Sequence, residues 1–439
     1  MPRTLLAKII EAHKVKGKVD PGERVWIRID QVTADGRSAS SVLRRFEGLG
    51  LPRARTDVVC FWMDASTAAP EDGADARRYV QTCAAHIGAH FSCPGNGAAD
   101  AVHLERFAVP GGTLATTHAG AGAGGGVGMV GLVSSPSEAA AALAGRPLPL
   151  AVPKTVQVRL RGALPARVSE TDTLLELLRR LGPAGALRRV LEFAGEGADT
   201  MPVPRRAAIC GGAALLGATS ALFGADATTA EFLRAQDRLR DRRTLRADEG
   251  AAYDEFLDLD LAALVPLAGR IGVERPVCPI TELAGTPVQQ VGIGGPSCGT
   301  AEDLALAAGI LRARGVAPGV DLAIIPATRR ELCRAAAEGT LSALLEAGAR
   351  LQEPGLGPFE GDWERPPVSG VSVRTGGPAP APAGTPARTY VVGVAAAAFA
   401  AREGTIQDPR GLGTTGTLRP PRNRGQAEVA QGGGAGVSR

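Results

Sequence analysis

Lysine is almost missing from this chain of 439 residues: Lys8, Lys14, Lys16, Lys18 and Lys154 are the only ones among 49 basic residues. With abundant Ala, Gly and Pro, that skew reads as GC-rich coding and carries no chemistry. Aromatic residues are equally scarce at 4%, so the cores must be built from Ala, Val and Leu. A net charge of +4 with no dense basic run, and no aromatics interleaved with the arginines, gives nucleic-acid binding no support. No apolar stretch reaches membrane-spanning length without Gly, Pro or charge, so no membrane contact is expected. The seven cysteines are dispersed and form no CxxC pair, which reads as free and mostly buried thiols. The N-terminal segment carries Leu5, Leu6, Ile9 and Ile10 at helical spacing among charges. That is an amphipathic helix and not a signal sequence, and a cytoplasmic location is expected.

What is present is an alternation of strand and helix signals in a chain long enough for two or three domains. Arg24–Asp30 alternates like a strand, Ser38–Phe46 has helical spacing ending at Gly48, and Asp57–Met63 is an apolar run typical of a parallel sheet. This rhythm predicts an α/β layered domain over residues 1–150. A second unit, 151–270, has a strand in TVQVRLRG, a helix from Ser169 capped by Ser169 or Thr171 and stopped by Gly182, and a strand in RVLEFAG. It closes on a charged helical stretch across Asp226–Arg240. A third, 271–412, carries QQVGIGG, a helix over Glu302–Arg314, the strand DLAIIP and a helix across Arg329–Gly348. Gly376–Pro386 reads as a loop and 413–439 as a disordered tail.

The glycine-rich run Ala119–Gly131 has two readings. Glycines let backbone N–H groups approach a phosphate. Here no GK[ST] follows and no acidic residue stands at dinucleotide spacing, so close backbone packing is the better reading. His86 and His90, four apart, would share a helix face as a metal pair does, but no third ligand is evident and no metal or other cofactor is expected.

Several collinear segments resemble the large subunits of the aconitase and 3-isopropylmalate dehydratase superfamily, from about residue 4 to 412. They are TLLAKIIEAH with PGERVWIRID, LPLAVPKTVQVRLRG, AICGGAALLGATSALFGAD with TTAEFL, EDLALAAGILRARGVAPGVDLAIIPATRREL, and GTIQDPRGL. The resemblance implies three α/β/α layered domains around a central cleft, without the swivelling fourth domain. A small partner subunit supplies that domain in two-subunit relatives. It also implies a [4Fe–4S] cluster held by three cysteines, with an open iron as Lewis acid. The sequence departs at those positions. Pro296 stands where the first ligand is expected, with Cys298 two residues away, and Leu356 and Phe359 replace the other two.

The family's acid–base motifs are altered as well. Asp64-Ala65 replaces an Asp-His pair, Gly97-Ala98-Ala99-Asp100 stands for Gly-Ile-Cys-His, and Thr116-Thr117-His118 keeps only the histidine of Asp-Ser-His. Gly211, Gly212 and Leu215 replace the Asn, Met and Glu of another motif. Val373-Arg374-Thr375 retains one carboxylate-gripping arginine, suited by its guanidinium fork to bidentate recognition. His118, Asp64 and Asp100 are therefore the candidate catalytic residues, and Arg374, Asp35 and Thr117 the candidate substrate-binding ones. Each aspartate has an alternative as a cap or loop acceptor, and His118 as a carbonyl-bonded structural residue. Ser297-Cys298 is a nucleophile candidate without an identifiable partner.

Three functional readings follow. One is a cluster-free lyase, isomerase or cyclase acting on a small carboxylate-bearing molecule in a specialised-metabolite pathway, with a pocket where Arg374, His118 and aspartates converge. Another is a non-catalytic scaffold or sensor whose cleft has collapsed. A conventional dehydratase large subunit is the third reading.

Overall fold

The computed structural model describes residues 2–63, 73–270, 276–355, 369–376 and 388–411. Three of its four sheets are built on parallel strands, as the buried apolar runs require. The first has the order His90–Ser92, Val58–Trp62, Gln31–Asp35, Thr113–Thr116, Val130–Val133, all parallel. Its strand order reverses between Gln31–Asp35 and Thr113–Thr116, and crevices beyond the carboxyl ends at such a point are where open α/β sheets take ligands. The second has the order Ser220–Phe223, Arg189–Ala194, Lys154–Arg161, Glu255–Asp260, again parallel. In the third, of seven strands, Gln290–Gly294 lies between Val371–Arg374 and Asp321–Ile325, and a second reversal falls between the first two of these.

The strand expected across Arg24–Asp30 ends at Ile27 and joins a separate antiparallel sheet with Lys14–Gly17 and Leu148–Ala151. The β-α-β unit instead begins at Gln31–Asp35, passes through the helix Ala39–Glu47 and returns at Val58–Trp62. Two more expected helices are shorter than their patterns. Arg329–Gly348 splits into Arg329–Ala337 and Thr340–Glu346, because Gly339 takes φ 74° between them. The stretch from Asp226 is helical only over Ala227–Ala235, with Asp237 at φ 57° beyond it. At Ser169 the expected cap is the N-cap of a capping box, in which the Asp172 carboxylate accepts from the Ser169 backbone N–H at 2.7 Å and its hydroxyl at 3.0 Å. Burial pushes the Asp172 carboxyl up to about 6.

The N-terminal helix Leu5–His13 buries Leu5, Leu6, Ile9 and Ile10 as its spacing requires. Its last residue, His13, is buried with Nδ1 2.7 Å from the Ile9 carbonyl and Nε2 2.8 Å from Asp30. Both partners are acceptors, so both ring nitrogens donate and the imidazolium is the favoured form. Burial works against that charge, yet the Asp30 bond holds the His13 pKa above its ordinary 6.5. The folded state therefore binds more protons than the unfolded one, and this contribution to stability is full below about pH 6.5 and fades as pH rises through the raised value. His13→Gln should remove that alkaline loss from a plot of unfolding free energy against pH, while the parent chain shows it.

The glycine-rich run forms a 3-10 helix, Ala119–Val127, pressed backbone to backbone on the helix Val203–Gly212 and the strand Ser220–Phe223. A Cβ at Gly122 would stand 2.3 Å from the Cys210 carbonyl oxygen, and one at Gly125 1.8 Å from that of Ala221. Packing, not phosphate binding, explains these glycines. Gly125→Ala should cost about 1–3 kcal/mol in urea unfolding, because the obstructing atoms are backbone and have little room to give.

Candidate active site

A cavity of about 820 Å³ opens where the carboxyl ends of the first and third parallel sheets meet the helices Glu170–Leu181 and Val203–Gly212. Three contacts hold its frame. Gly97 lets its backbone bridge Thr328, where a Cβ would sit 2.6 Å from the Ala327 carbonyl oxygen. Arg238 donates to the carbonyls of Leu104, Glu105 and Ala108 at 3.3, 3.1 and 2.7 Å, satisfying the open end of the helix Ala99–Arg106. Arg330 donates to Gln236 at 2.7 Å across the opening.

Asp100 and His118 face each other in this wall, with Asp100 Oδ2 3.5 Å from His118 Nε2 and both side chains largely buried. Gly120 makes the room, since a Cβ there would stand 1.8 Å from Asp100 Oδ2. One turn along the same helix, Glu105 is buried and accepts from the Thr328 hydroxyl at 2.8 Å. Burial, with Glu331 nearby, pushes its carboxyl above the ordinary glutamate range. Deeper in the wall, Arg205 lies 2.5 Å from Glu170 and 2.6 Å from Asp303. Those two carboxylates are almost fully buried, and burial pushes Glu170 upward despite its partner. Leu104, Leu174, Val203, Leu215 and Phe232 supply an apolar side.

The other expected site residues are placed differently. Asp64 lies outside the described residues. Asp35 is buried beneath the wall, accepting from the Thr117 hydroxyl at 3.4 Å, and neither of the two lines the cavity. Arg374 is buried in its strand with Nε donating to Ser372 at 3.0 Å, and its neighbour Thr375 reaches the cavity instead. The expected convergence of Arg374 with His118 is not found. His86 ends a helix that stops at Ile87, and His90 opens a strand, so the two do not share a helix face. Among the described residues no group of three His, Cys, Asp or Glu side chains can hold a metal ion. Glu105, Glu170 and Arg205 carried no motif. Only the fold brings them together.

Gly211, Gly212, Leu215, Pro296 and Ser297, which occupy motif positions in the resemblance or adjoin them, all line this one cavity. The model of the aconitase family (aconitate hydratase) matches residues 54–274. A 3-isopropylmalate dehydratase large subunit 2 of Archaeoglobus fulgidus is 31% identical over 414 residues, 93% of this chain and 99% of that one. The chain belongs to the aconitase family. The homoaconitase large subunit of Thermus thermophilus is 33% identical over 82% of this chain and 85% of its own length. A 3-isopropylmalate dehydratase large subunit 1 of Thermotoga maritima is 29% identical over 93% and 99%.

The family's [4Fe–4S] cluster can be tested against the donors present. Pro296 stands at the cavity wall where a ligand is expected, and it offers no donor atom. The Cys298 thiol is buried in the core, donating to the Thr375 carbonyl at 3.2 Å and lying 3.7 Å from the Thr171 hydroxyl. Burial pushes it well above the ordinary thiol range, which opposes the thiolate that iron needs. Leu356 and Phe359 lie outside the described residues, and their side chains have no ligand atom. This donor set does not fit a cluster held by three cysteines.

No helix among the described residues is long and apolar enough to cross a membrane.

Proposed function

We propose that this chain is the large subunit of an aconitase-family lyase or isomerase acting on a small carboxylate-bearing molecule through its own acid–base side chains, without an iron–sulfur cluster. The Asp100–His118 pair in the wall of an open cavity carries this reading. A neutral His118 imidazole takes the proton from the carbon beside the substrate carboxylate, and Asp100 steadies the imidazolium that forms. The carbon–hydrogen electron pair becomes the new double bond as the neighbouring carbon–oxygen bond breaks. Glu105, whose carboxyl burial shifts toward its protonated form, gives its proton to the departing hydroxyl, which leaves as water. Reversal adds water back, and return at the adjacent carbon isomerises the hydroxy acid.

The open cavity argues against the scaffold or sensor reading, which expects a cleft filled by apolar side chains. The relatives named as large subunits support a small partner subunit completing the site. We also read the parallel sheets as three α/β units spanning about 1–150, 151–270 and 271–412. Those relatives favour a second reading, a conventional 3-isopropylmalate dehydratase large subunit, over a role in specialised metabolism. Anaerobic purification with assay of iron and acid-labile sulfide separates the two. The cluster-free reading expects neither in stoichiometric amount and turnover that survives chelators. Stoichiometric iron and sulfide, with 3-isopropylmalate turnover that chelators abolish, would establish the second reading instead.

A further inference from the structure

The charges around the cavity point to what it accepts, taking it as the substrate site of the function proposed above. Among the described residues six carboxyl groups line it, those of Asp100, Glu170, Glu231, Glu302 and Glu331 and that of Glu105, the proton donor of that function, against three guanidiniums. Two of the guanidiniums are already engaged. Arg205 sits between Glu170 and Asp303, and Arg334 pairs with Glu302 and, at 3.7 Å, with Glu331. Arg37 is the remaining one. It is exposed at the rim with no ion-pair partner among the described residues, and it follows the carboxyl end of Gln31–Asp35 at the strand-order reversal. Glu231, which also lines the cavity, is exposed on the helix Ala227–Ala235 and likewise has no partner among the described residues.

A ligand with two or three carboxylates would enter a wall in carboxylate surplus among the described residues, with Arg37 as the one uncommitted guanidinium among them to receive it. Like charges brought together in a partly desolvated cavity are a strong basis for rejection. A ligand with one carboxylate and one ammonium matches the arrangement, the first group going to Arg37 and the second to the acidic side. The apolar side formed by Leu104, Leu174, Val203, Leu215 and Phe232 suits a branched alkyl or aromatic tail. We infer that the substrate class is a zwitterionic amino acid or amino-acid-like compound with an apolar side group, not a dicarboxylate or tricarboxylate.

Calorimetric titration of the full chain tests this without requiring turnover. The probes are leucine and phenylalanine, leucic acid as the hydroxy analogue of leucine, and isobutylsuccinate as a dicarboxylate with the same tail. We expect leucine or phenylalanine to bind at least ten-fold more tightly than leucic acid, and isobutylsuccinate to bind weakest. Glu231→Gln, an exposed change, should reduce the amino-over-hydroxy preference several-fold with no change in thermal midpoint. Equal or tighter binding of isobutylsuccinate, absence of the amino preference, or failure of every probe to bind would overturn the inference. The two proposals fail separately. A 3-hydroxy amino acid with the same tail, 3-hydroxyleucine, that binds as expected but never loses water would sink the catalytic reading and leave the substrate class. Turnover of a dicarboxylate would do the reverse.

Discussion

Arg205→Met is expected to destabilise the folded chain by about 3–5 kcal/mol, the usual consequence of removing one partner from a buried charge cluster. Arg205 is the shared counter-ion of Glu170 and Asp303, at 2.5 and 2.6 Å, and both carboxylates are cut off from water. Without it, two negative charges stay buried near each other and near the Cys298 thiol, whose ionisation they already oppose. The variant escapes part of that cost by protonating Glu170. Burial already raises this carboxyl above its ordinary value, so the folded state binds more protons than the unfolded one across that window. Stability therefore falls as pH rises through it, and more steeply in the variant. Urea unfolding at about pH 5 and about pH 8 should show the larger deficit at the higher pH. Adding Glu170→Gln to the variant should recover part of the loss at high pH. A deficit equal at both pH values would mean that the guanidinium contributes packing alone.

His118→Gln and Asp100→Asn address the chemistry. With His118 as the base, His118→Gln should lower turnover by about 10²–10⁴-fold, the range for removing one general acid–base group. Asp100→Asn should lower it less, because the imidazole remains and loses only the group that steadies its charged form. The double variant should be little worse than His118→Gln alone, since the two residues act as one unit. Thermal midpoints should stay close to the parent's, because both replacements are nearly isosteric and keep a polar side chain in place. Stopped assays on whichever hydroxy or amino acid the chain turns over would measure the losses. Strictly additive effects would place the two residues in separate roles.

How much of this was legible beforehand differs from residue to residue. Val58–Trp62 and Asp321–Ile325 announce themselves as buried parallel strands because both faces are apolar. Gln31–Asp35 is just as buried but carries no apolar run to announce it, since its polar side chains find partners only after folding. Gln31 bonds His103 at 2.8 Å, and Asp35 bonds Thr117. Burial lowers His103 to about 4, so this histidine stays neutral in the core. In the site, altered motifs mark the positions of Asp100 and His118, and the fold brings the two side chains to 3.5 Å. Glu105, Glu170 and Arg205 sit on helices where acidic and basic residues ordinarily mean a solvated face, and their convergence depends on loops far away in the chain. Arg374 shows the opposite case: its motif position is retained, but its Nε bonds Ser372 in its own strand and it is not among the described residues that line the cavity.

The clamp on the helix Ala99–Arg106 has an evolutionary reading. Arg238 and the Gly97–Thr328 bridge grip that helix through backbone atoms, which every residue type supplies alike. The cavity-facing positions 100, 101, 104 and 105 can then be exchanged one at a time while the helix itself stays in register. A scaffold anchored in this way permits drift in substrate preference at small structural risk, and it confines the risk to two sites, Gly97 and Arg238, that never meet the substrate.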